Sequence, residues 1–476
     1  MTPESLRPNT LNRLALRMTA LAERWLPDAF VFALVGTVLV VLAAFSTGAG
    51  PQAVVKSWGD GVWSLVPFTL QMAMIVIGGT VVATAAPVQR FIEGLARLPK
   101  SPRQATVLCA VASMVSSWFN WGFGLIFAAV LARALARQVK NVDYRTLAAT
   151  TLLGLGTVWA QGLSGSAALQ MATPGLLPPA IRTIAAGKDA TGAELIKGGL
   201  IGLEHTIFLW QSFASVAIEI VVVALLIAAI TPVGAHARTA ADLGVDLHEP
   251  VDDTRDEPQH PGEWLEHRWW LSAIVVVLGA GYIFVALWNA EHIAAAITLN
   301  LVNLALLTLG FALHRTPARL ARAFARATPS VWGLLLQFPL YGGIAALIVD
   351  TKLNERIADL FTRVATQTTF PPLVAAYSAL LGIFVPSGGS KWVIEAPYVL
   401  AAAHRLHVHV GWTVAVYDLG EALANLVQPF WMLPVLGMLG LKARDVMGVT
   451  WTVFLVMTPV VLALVTLFGS TLSWPL

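Results

Sequence analysis

The chain has 476 residues, of which 57% are hydrophobic and only 12% charged, with a net charge of +3. A soluble domain carries about 25% charged residues, so this composition excludes a soluble enzyme, a disordered chain and a nucleic-acid binder. The apolar runs are continuous and do not alternate, which predicts an all-α polytopic membrane protein and not a barrel.

Residues 1–27 carry Arg7, Arg13, Arg17 and Arg24 and read as a cytoplasmic segment ahead of a retained first span. A bilayer core needs about 20 apolar residues per helix. That rule predicts spans at 28–47, 62–86, 146–172, 203–230, 269–289, 293–313, 330–350, 411–440 and 446–470. Two further apolar segments, 104–138 and 372–408, have polar, Gly-rich centres. Each half of them reads as about 12–14 residues, or about 20 Å, too short to cross.

Charge separates spans from hairpins. Arg90, Arg97, Lys100 and Arg103 precede 104–138, and Arg133, Arg137, Lys140 and Arg145 close or follow it. Both ends therefore belong in the cytoplasm, which predicts a re-entrant hairpin. Two short spans with an external turn are the competing reading. Carried forward, the second hairpin opens outward. The proposed cytoplasmic segments then hold 21 of the 30 Lys and Arg, the outer segments eight, and Lys391 lies inside the second hairpin. The N-terminus is placed in the cytoplasm and the C-terminus in the periplasm of a bacterial inner membrane. Residues 231–268, with Asp242, Asp246, Glu249, Asp252, Asp253, Asp256 and Glu257, read as an exposed cytoplasmic linker.

The domain plan follows. A first repeat, 28–230, is joined by the linker and a connecting span, 269–292, to a second, inverted repeat, 293–476. Each repeat runs span, span, hairpin, interrupted span, closing span. Inverted repeats with paired broken helices point to a secondary transporter with its substrate near the midplane.

Four elements should carry the chemistry. The first tip reads Ser116-Ser117-Trp118-Phe119-Asn120-Trp121-Gly122-Phe123-Gly124, and the second Val385-Pro386-Ser387-Gly388-Gly389-Ser390-Lys391-Trp392. Glycines allow close backbone approach, and a helix start offers free N–H groups to an anion. The first broken span holds Trp159, Gln161, Ser164 and Ser166, running on to Pro174. The second holds Asp418, Glu421, Asn425 and Gln428, spaced to share one helical face.

The expected substrate-binding set is Asn120, Gly122, Ser164, Ser166, Ser387, Gly388, Gly389, Ser390, Lys391, Asn425 and Gln428. Intramembrane acids are expensive and functional, so Asp418 and Glu421 are the expected ion-coupling pair. Lys391 and Glu395, at i and i+4, either neutralise each other or leave Lys391 facing the substrate. Glu219 reads as a buried structural partner. Glu204-His205, and His404, His407 and His409, read as solvated ends. Cys109, the one cysteine, reads as a packed hydrophobe. Trp118, Trp121 and Trp392 flank the tips and either wall an apolar pocket or simply pack. No catalytic residues and no metal site are expected: a His-Glu-x-x-His motif and a Gly-x-Ser-x-Gly elbow are both missing.

The stretches Ser117-Trp118-Phe119-Asn120-Trp121-Gly122-Phe123-Gly124-Leu125, Gly162-Leu163-Ser164-Gly165-Ser166-Ala167 and Phe384-Val385-Pro386-Ser387-Gly388-Gly389 resemble the bacterial short-chain fatty acid transporter family. That family is associated with acetoacetate and butyrate uptake and is grouped with the ion transporter superfamily. The resemblance implies a homodimeric elevator carrier with a scaffold and a moving domain. The family pattern continues the second tip with Gly and then Gln or His, where this chain has Ser390-Lys391, and has Gln near Glu395. The expected function is symport of small monocarboxylates with a proton or sodium ion and no cofactor. A carrier of dicarboxylates or amino-acid conjugates is the alternative, Lys391 then supplying a second positive group.

Overall fold

The structure is a computed structural model that describes residues 29–247, 260–290, 297–384, 388–428 and 431–476. Among these residues the named elements are all helical. The first half opens with α1 (Ala29–Ser46) and α2 (Pro51–Val62), which bends at residues 63–65 into α3 (Val66–Ala83). An amphipathic α4 (Ala86–Ala96) leads to a helical hairpin of α5 (Pro102–Phe119) and α6 (Trp121–Gln138). Next come α7 (Tyr144–Thr150), an irregular stretch with a 3₁₀ turn at Val158–Gln161, and α8 (Ser166–Ala172). A short α9 (Pro179–Ala186) and the long α10 (Trp210–Ile230) close this half.

After α11 (Trp269–Trp288) the order recurs. It runs through α12 (Leu299–His314), α13 (Pro317–Ala327), α14 (Trp332–Asp350) and α15 (Leu353–Val364) to a second hairpin of α16 (Phe370–Phe384) and α17 (Gly388–Arg405). A broken pair, α18 (Val410–Asn425) and α19 (Met432–Leu439), then leads to a closing helix, α20 (Ala443–Gly469). Contacts recur with the order. In one half α3 packs on α6, and α5 on the 3₁₀ turn and on α10; in the other α14 packs on α17, and α16 on α18 and α20.

Local sequence sets the boundaries. Ser101 and Pro102 start α5, with the Ser101 hydroxyl accepting from Gln104 N at 3.3 Å. Asn120 ends α5 and caps α6, so a single extended residue reverses the chain. Asp143 caps α7 through Thr146 N at 2.8 Å and also accepts from Arg238 N at 2.9 Å, which pins the linker to the helix bundle.

Among the described residues five helical stretches are long and apolar enough to cross a membrane: Pro51–Ala83, Trp210–Ile230, Pro261–Trp288, Trp332–Asp350 and Ala443–Gly469. Shorter apolar helices run Ala33–Ser46, Leu299–His314 and Phe370–Ile383. The apolar window containing α11 is only 11% buried, against 67% for Pro51–Ala83. So α11 lies at the periphery and turns Val277, Leu278, Tyr282, Phe284 and Trp288 outward, an apolar surface suited to lipid and not to water.

Several sequence expectations need correction. The spans expected at 146–172 and 411–440 are not continuous helices, because helix stops at Thr150 and Asn425 and resumes at Ser166 and Met432. The span expected at 62–86 begins at Pro51, and the one expected at 203–230 at Trp210. The hairpin arms are longer than expected, at 18, 18, 15 and 18 residues. An 18-residue helix is about 27 Å long, so length alone does not forbid crossing. Gln428 does not share the α18 face, since the helix ends three residues earlier. Of the four histidines expected to be solvated, two are packed. His409 caps α18 by accepting from Trp412 N at 2.9 Å, and His404 is half-buried between Ala185 O and Trp474. The linker acids Glu249, Asp252, Asp253, Asp256 and Glu257 lie outside the described residues.

Close approach of α18 to α16 depends on Gly420. A Cβ built there would lie 2.3 Å from Ala375 O and 2.9 Å from Ser378 Cβ. Gly420→Ala should therefore cost about 1–3 kcal/mol of stability through overpacking, seen as a lower Tm of the detergent-purified protein. Gly94→Ala on α4, where a Cβ meets nothing within 4 Å, should leave the Tm at or slightly above the parent value.

Candidate functional site

Both hairpin tips and both broken segments converge on one internal cavity. Its wall takes Met72 from α3, Trp121 from α6, Leu155, Trp159 and Ser166 from the first break, and Leu334 and Phe338 from α14. Gly388 and Gly389 at the start of α17, Glu421 and Asn425 on α18, and Trp431 complete it. The space is about 30 Å³, room for one or two waters and too tight for an organic anion without movement.

The second tip forms its wall through close backbone approach. A Cβ on Gly388 would lie 3.0 Å from the Trp159 ring and 3.2 Å from Glu421 Cγ, and one on Gly389 would lie 2.5 Å from the Phe68 ring. Side chains from other helices tie this backbone down. Tyr417 Oη donates to Gly388 O at 2.5 Å, and Gln170 Nε2 of α8 donates to Gly389 O at 2.9 Å. Aromatic pairs frame the space: Trp121 meets Trp431 edge-on at 5.0 Å, and Phe68 stacks on Phe338 at 5.5 Å.

Behind the Glu421 wall lies an ionic cluster without exposed surface. Lys391 Nζ donates to Ser378 Oγ at 2.6 Å, Ser378 O at 3.0 Å and Glu395 Oε1 at 3.1 Å. It also lies 3.1 Å from Glu421 Oε2 and 4.4 Å from the centre of the Tyr417 ring. Asp418 turns to the first half, where its Oδ2 accepts from Ala167 N at 3.0 Å. One buried ammonium thus contacts two buried carboxylates, those of Glu395 and Glu421, with the buried Asp418 carboxylate a third beside them on α18. Among the described residues Asp418 Oδ1 and Asn425 Oδ1 are buried without a hydrogen-bond donor, and Glu421 Oε2 has only the Lys391 ammonium beside it.

Of the residues singled out from sequence, Ser166, Gly388, Gly389, Glu421 and Asn425 line the cavity. Lys391 stands one layer behind it, making contacts to Glu395 and Glu421 at once. Ser390 and Gln428 are buried beside the lining without joining it, and Ser387 lies outside the described residues. The first tip departs from expectation. Asn120 Oδ1 accepts from Phe123 N at 2.8 Å and Ser164 Oγ from Trp121 N at 2.9 Å. The α6 start is thus capped from within the protein, and of the Asn120–Gly122 turn only Trp121 lines the cavity. Of the three tip tryptophans only Trp121 lines it; Trp118 packs on Phe119 and Phe213, and Trp392 on Tyr417.

Sequence reasoning missed Gln170, Ser378, Tyr417, Phe338 and Trp431. Gln170 and Ser378 are polar groups in otherwise apolar helices, and a polar group at membrane depth needs a partner. That signal was present for these two. Nothing local marks the three aromatics.

A family model described as Short chain fatty acid transporter matches residues 10–468. Two curated relatives carry a short-chain fatty acid transporter name. One, from Escherichia coli strain K12, is 37% identical over 452 residues, covering 94% of this chain and 97% of the relative. The other, from Haemophilus influenzae, is 31% identical over 451 residues, covering 94% and 98%. Among solved structures, Neisseria gonorrhoeae MtrF, described as illuminating a class of antimetabolite efflux pumps, superposes with a TM-score of 0.60 at 14% identity, covering 97% of this chain and 98% of MtrF. Alcanivorax borkumensis YdaH, a transporter of unusual topology, gives 0.55 at 15% identity, covering 94% and 98%. At these identities the two structures share the fold alone.

Lys391→Met should leave Glu395 and Glu421 buried without their cation, at a cost of about 3–5 kcal/mol. The expected result is a marked fall in Tm of the purified protein. Adding Glu421→Gln to Lys391→Met should recover part of the loss, because it removes one of the two stranded charges.

Proposed function

The chain belongs to the short chain fatty acid transporter family, and from that premise we propose that it is a secondary active symporter of small monocarboxylates such as acetoacetate or butyrate. It is an integral membrane transporter, not an enzyme. The observation that carries the finer reading is the cavity itself. Apolar and aromatic walls suit a short acyl chain, and the α17 start at Gly388 and Gly389 brings partial positive charge to one end for a carboxylate.

Coupling rests on the excess of negative charge. Three buried carboxylates against one buried ammonium call for a further positive charge. A proton on one carboxylate supplies it, as does a sodium ion held by Glu421, Asn425 Oδ1 and backbone carbonyls of the breaks, oxygen ligands of the kind a hard cation takes. Cargo and coupling ion then neutralise each other inside a low-dielectric site, which makes loading of one favour the other.

The buried tips support re-entrant hairpins: Asn120 and Gly388 end inside the protein, with basic flanks on both sides of the first hairpin. The recurring helix order supports an inverted repeat and alternating access by movement of the hairpin-bearing part. A homodimer in the bacterial inner membrane, N-terminus inside and C-terminus outside, completes this reading.

Purified protein in proteoliposomes should take up labelled butyrate saturably, driven by an imposed sodium or proton gradient. Glu421→Gln should abolish gradient-driven accumulation and retain carboxylate exchange. Absence of saturable, gradient-driven movement of any short-chain carboxylate would overturn the assignment.

A further inference from the structure

Glu219 on α10 stands apart from the ionic cluster and has no exposed surface. Its Oε1 accepts two hydrogen bonds, from Gln161 Nε2 at 2.9 Å and from Ser215 Oγ at 3.1 Å. Its Oε2 accepts none, and the Oε1 of the same Gln161 accepts none either. An ionised carboxylate is acceptor-only on both oxygens. Ionised, Glu219 would leave a charged oxygen and an amide oxygen buried without a donor, each at the full desolvation penalty.

A single proton removes both deficits. An O–H on Glu219 Oε2 donates to Gln161 Oε1, while Gln161 Nε2 donates to Glu219 Oε1. The result is a closed acid–amide pair with Ser215 as an extra donor to the carbonyl oxygen. Among the described residues no charge stands near enough to favour the anion. The elements packed on α10 are α5, α20 and the 3₁₀ turn. Their charged groups are Arg103 on α5 and Arg444 and Asp445 on α20. The start of α5 meets the end of α10 through Thr106 and Thr231 at 2.8 Å, and Thr231 is about 18 Å along the helix from Glu219. The end of α20 meets the start of α10 through Thr471 and Gln211 at 3.0 Å, so Arg444 and Asp445 also lie at the far end. The remaining titratable group on these elements, the Cys109 thiol, faces Ala128 O at 3.8 Å.

We propose that Glu219 is held as the neutral acid and closes a cyclic pair with the Gln161 amide, clamping the first broken segment to α10. Gln161 ends the 3₁₀ turn that carries Trp159, and the Trp159 ring lines the cavity against Gly388. Glu219 is thus a positioning residue, acting through Gln161 on one wall of the site, and not a carrier of the coupling proton.

Infrared spectra of the purified full-length protein at neutral pH test the protonation directly and need no transport. The expected result is a carbonyl stretch of a protonated carboxyl group, shifted by deuterium exchange, that is lost in Glu219→Gln. Loss of a carboxylate band instead would overturn the proposal. The second test uses transport, resting on the function proposed above. Glu219→Gln replaces the acid–amide pair by an amide–amide pair with both hydrogen bonds intact, so KM should stay within about twofold of the parent. Glu219→Leu strands the Gln161 amide, and KM should rise about tenfold. Equal damage by the two variants, or loss of gradient-driven uptake in Glu219→Gln with exchange preserved, would overturn the positioning role. A protein that moves no carboxylate at all would sink the functional assignment, and the infrared result would still decide the protonation.

Discussion

An ammonium group with no water around it holds the second half of the site together. Lys391 sits at the start of α17, yet its acceptors come from α16 through Ser378, from its own helix through Glu395, and from α18 through Glu421. Desolvating such a group costs several kcal/mol unless every donor is used in good geometry. Here the compensation fixes the relative positions of three helices. Ser378 relays the constraint, since its hydroxyl accepts from Lys391 and donates to Tyr417 O at 3.0 Å. Tyr417 in turn holds Gly388 O and lays its ring beneath the ammonium. The wall formed by Gly388 and Gly389 is therefore positioned by a charge that does not itself line the cavity.

How much of this was legible in the sequence depends on the kind of signal. The two hairpins and the two breaks could be read because glycine, serine and paired basic flanks interrupt an otherwise apolar pattern. Hydropathy has no comparable access to where a helix stops inside a break. It joined 146–172 and 411–440 into spans, although helix gives way at Thr150 and Asn425. The site residues divide in the same way. Glu421, Asn425 and Ser166 are polar at membrane depth, and polarity there is costly enough to mark function. Asn120 and Ser164 carry the same mark, yet both bond free amides of α6: Asn120 caps Phe123 N from the helix start, and Ser164 reaches Trp121 N from the first break. Spacing alone leaves Lys391 between two roles. The contact that combines them, to Glu421, is long-range and has no local signature. Phe338 and Trp431 look like any packed aromatic until the tertiary fold brings them to the cavity.

The halves follow one plan of helices but not one plan of chemistry. The first half brings neutral groups to the site: Ser166, Gln170, Trp159 and the capped tip. The second brings every charge: Lys391, Glu395, Asp418 and Glu421. Repetition of the backbone explains why two tips and two breaks meet. It does not explain the ions, which arise from residues present in one copy only.

That asymmetry bears on how so small a cavity can open. The charged contacts described at the site, between Lys391 and its two glutamates, all lie within α17 and α18. Contacts that cross from one half to the other at the site use uncharged donors: Gln170 on Gly389 O, Ala167 N on Asp418, and Asn425 on Leu155 O at 3.3 Å. Separating the second tip and α18 from the first break therefore breaks hydrogen bonds from neutral donors, worth about 1 kcal/mol net each, or about 1.5–3 kcal/mol for the one that ends on the Asp418 carboxylate. The buried ion pairs, which cannot be parted without stranding a charge, travel together. The cavity can therefore widen while the ionic cluster stays whole.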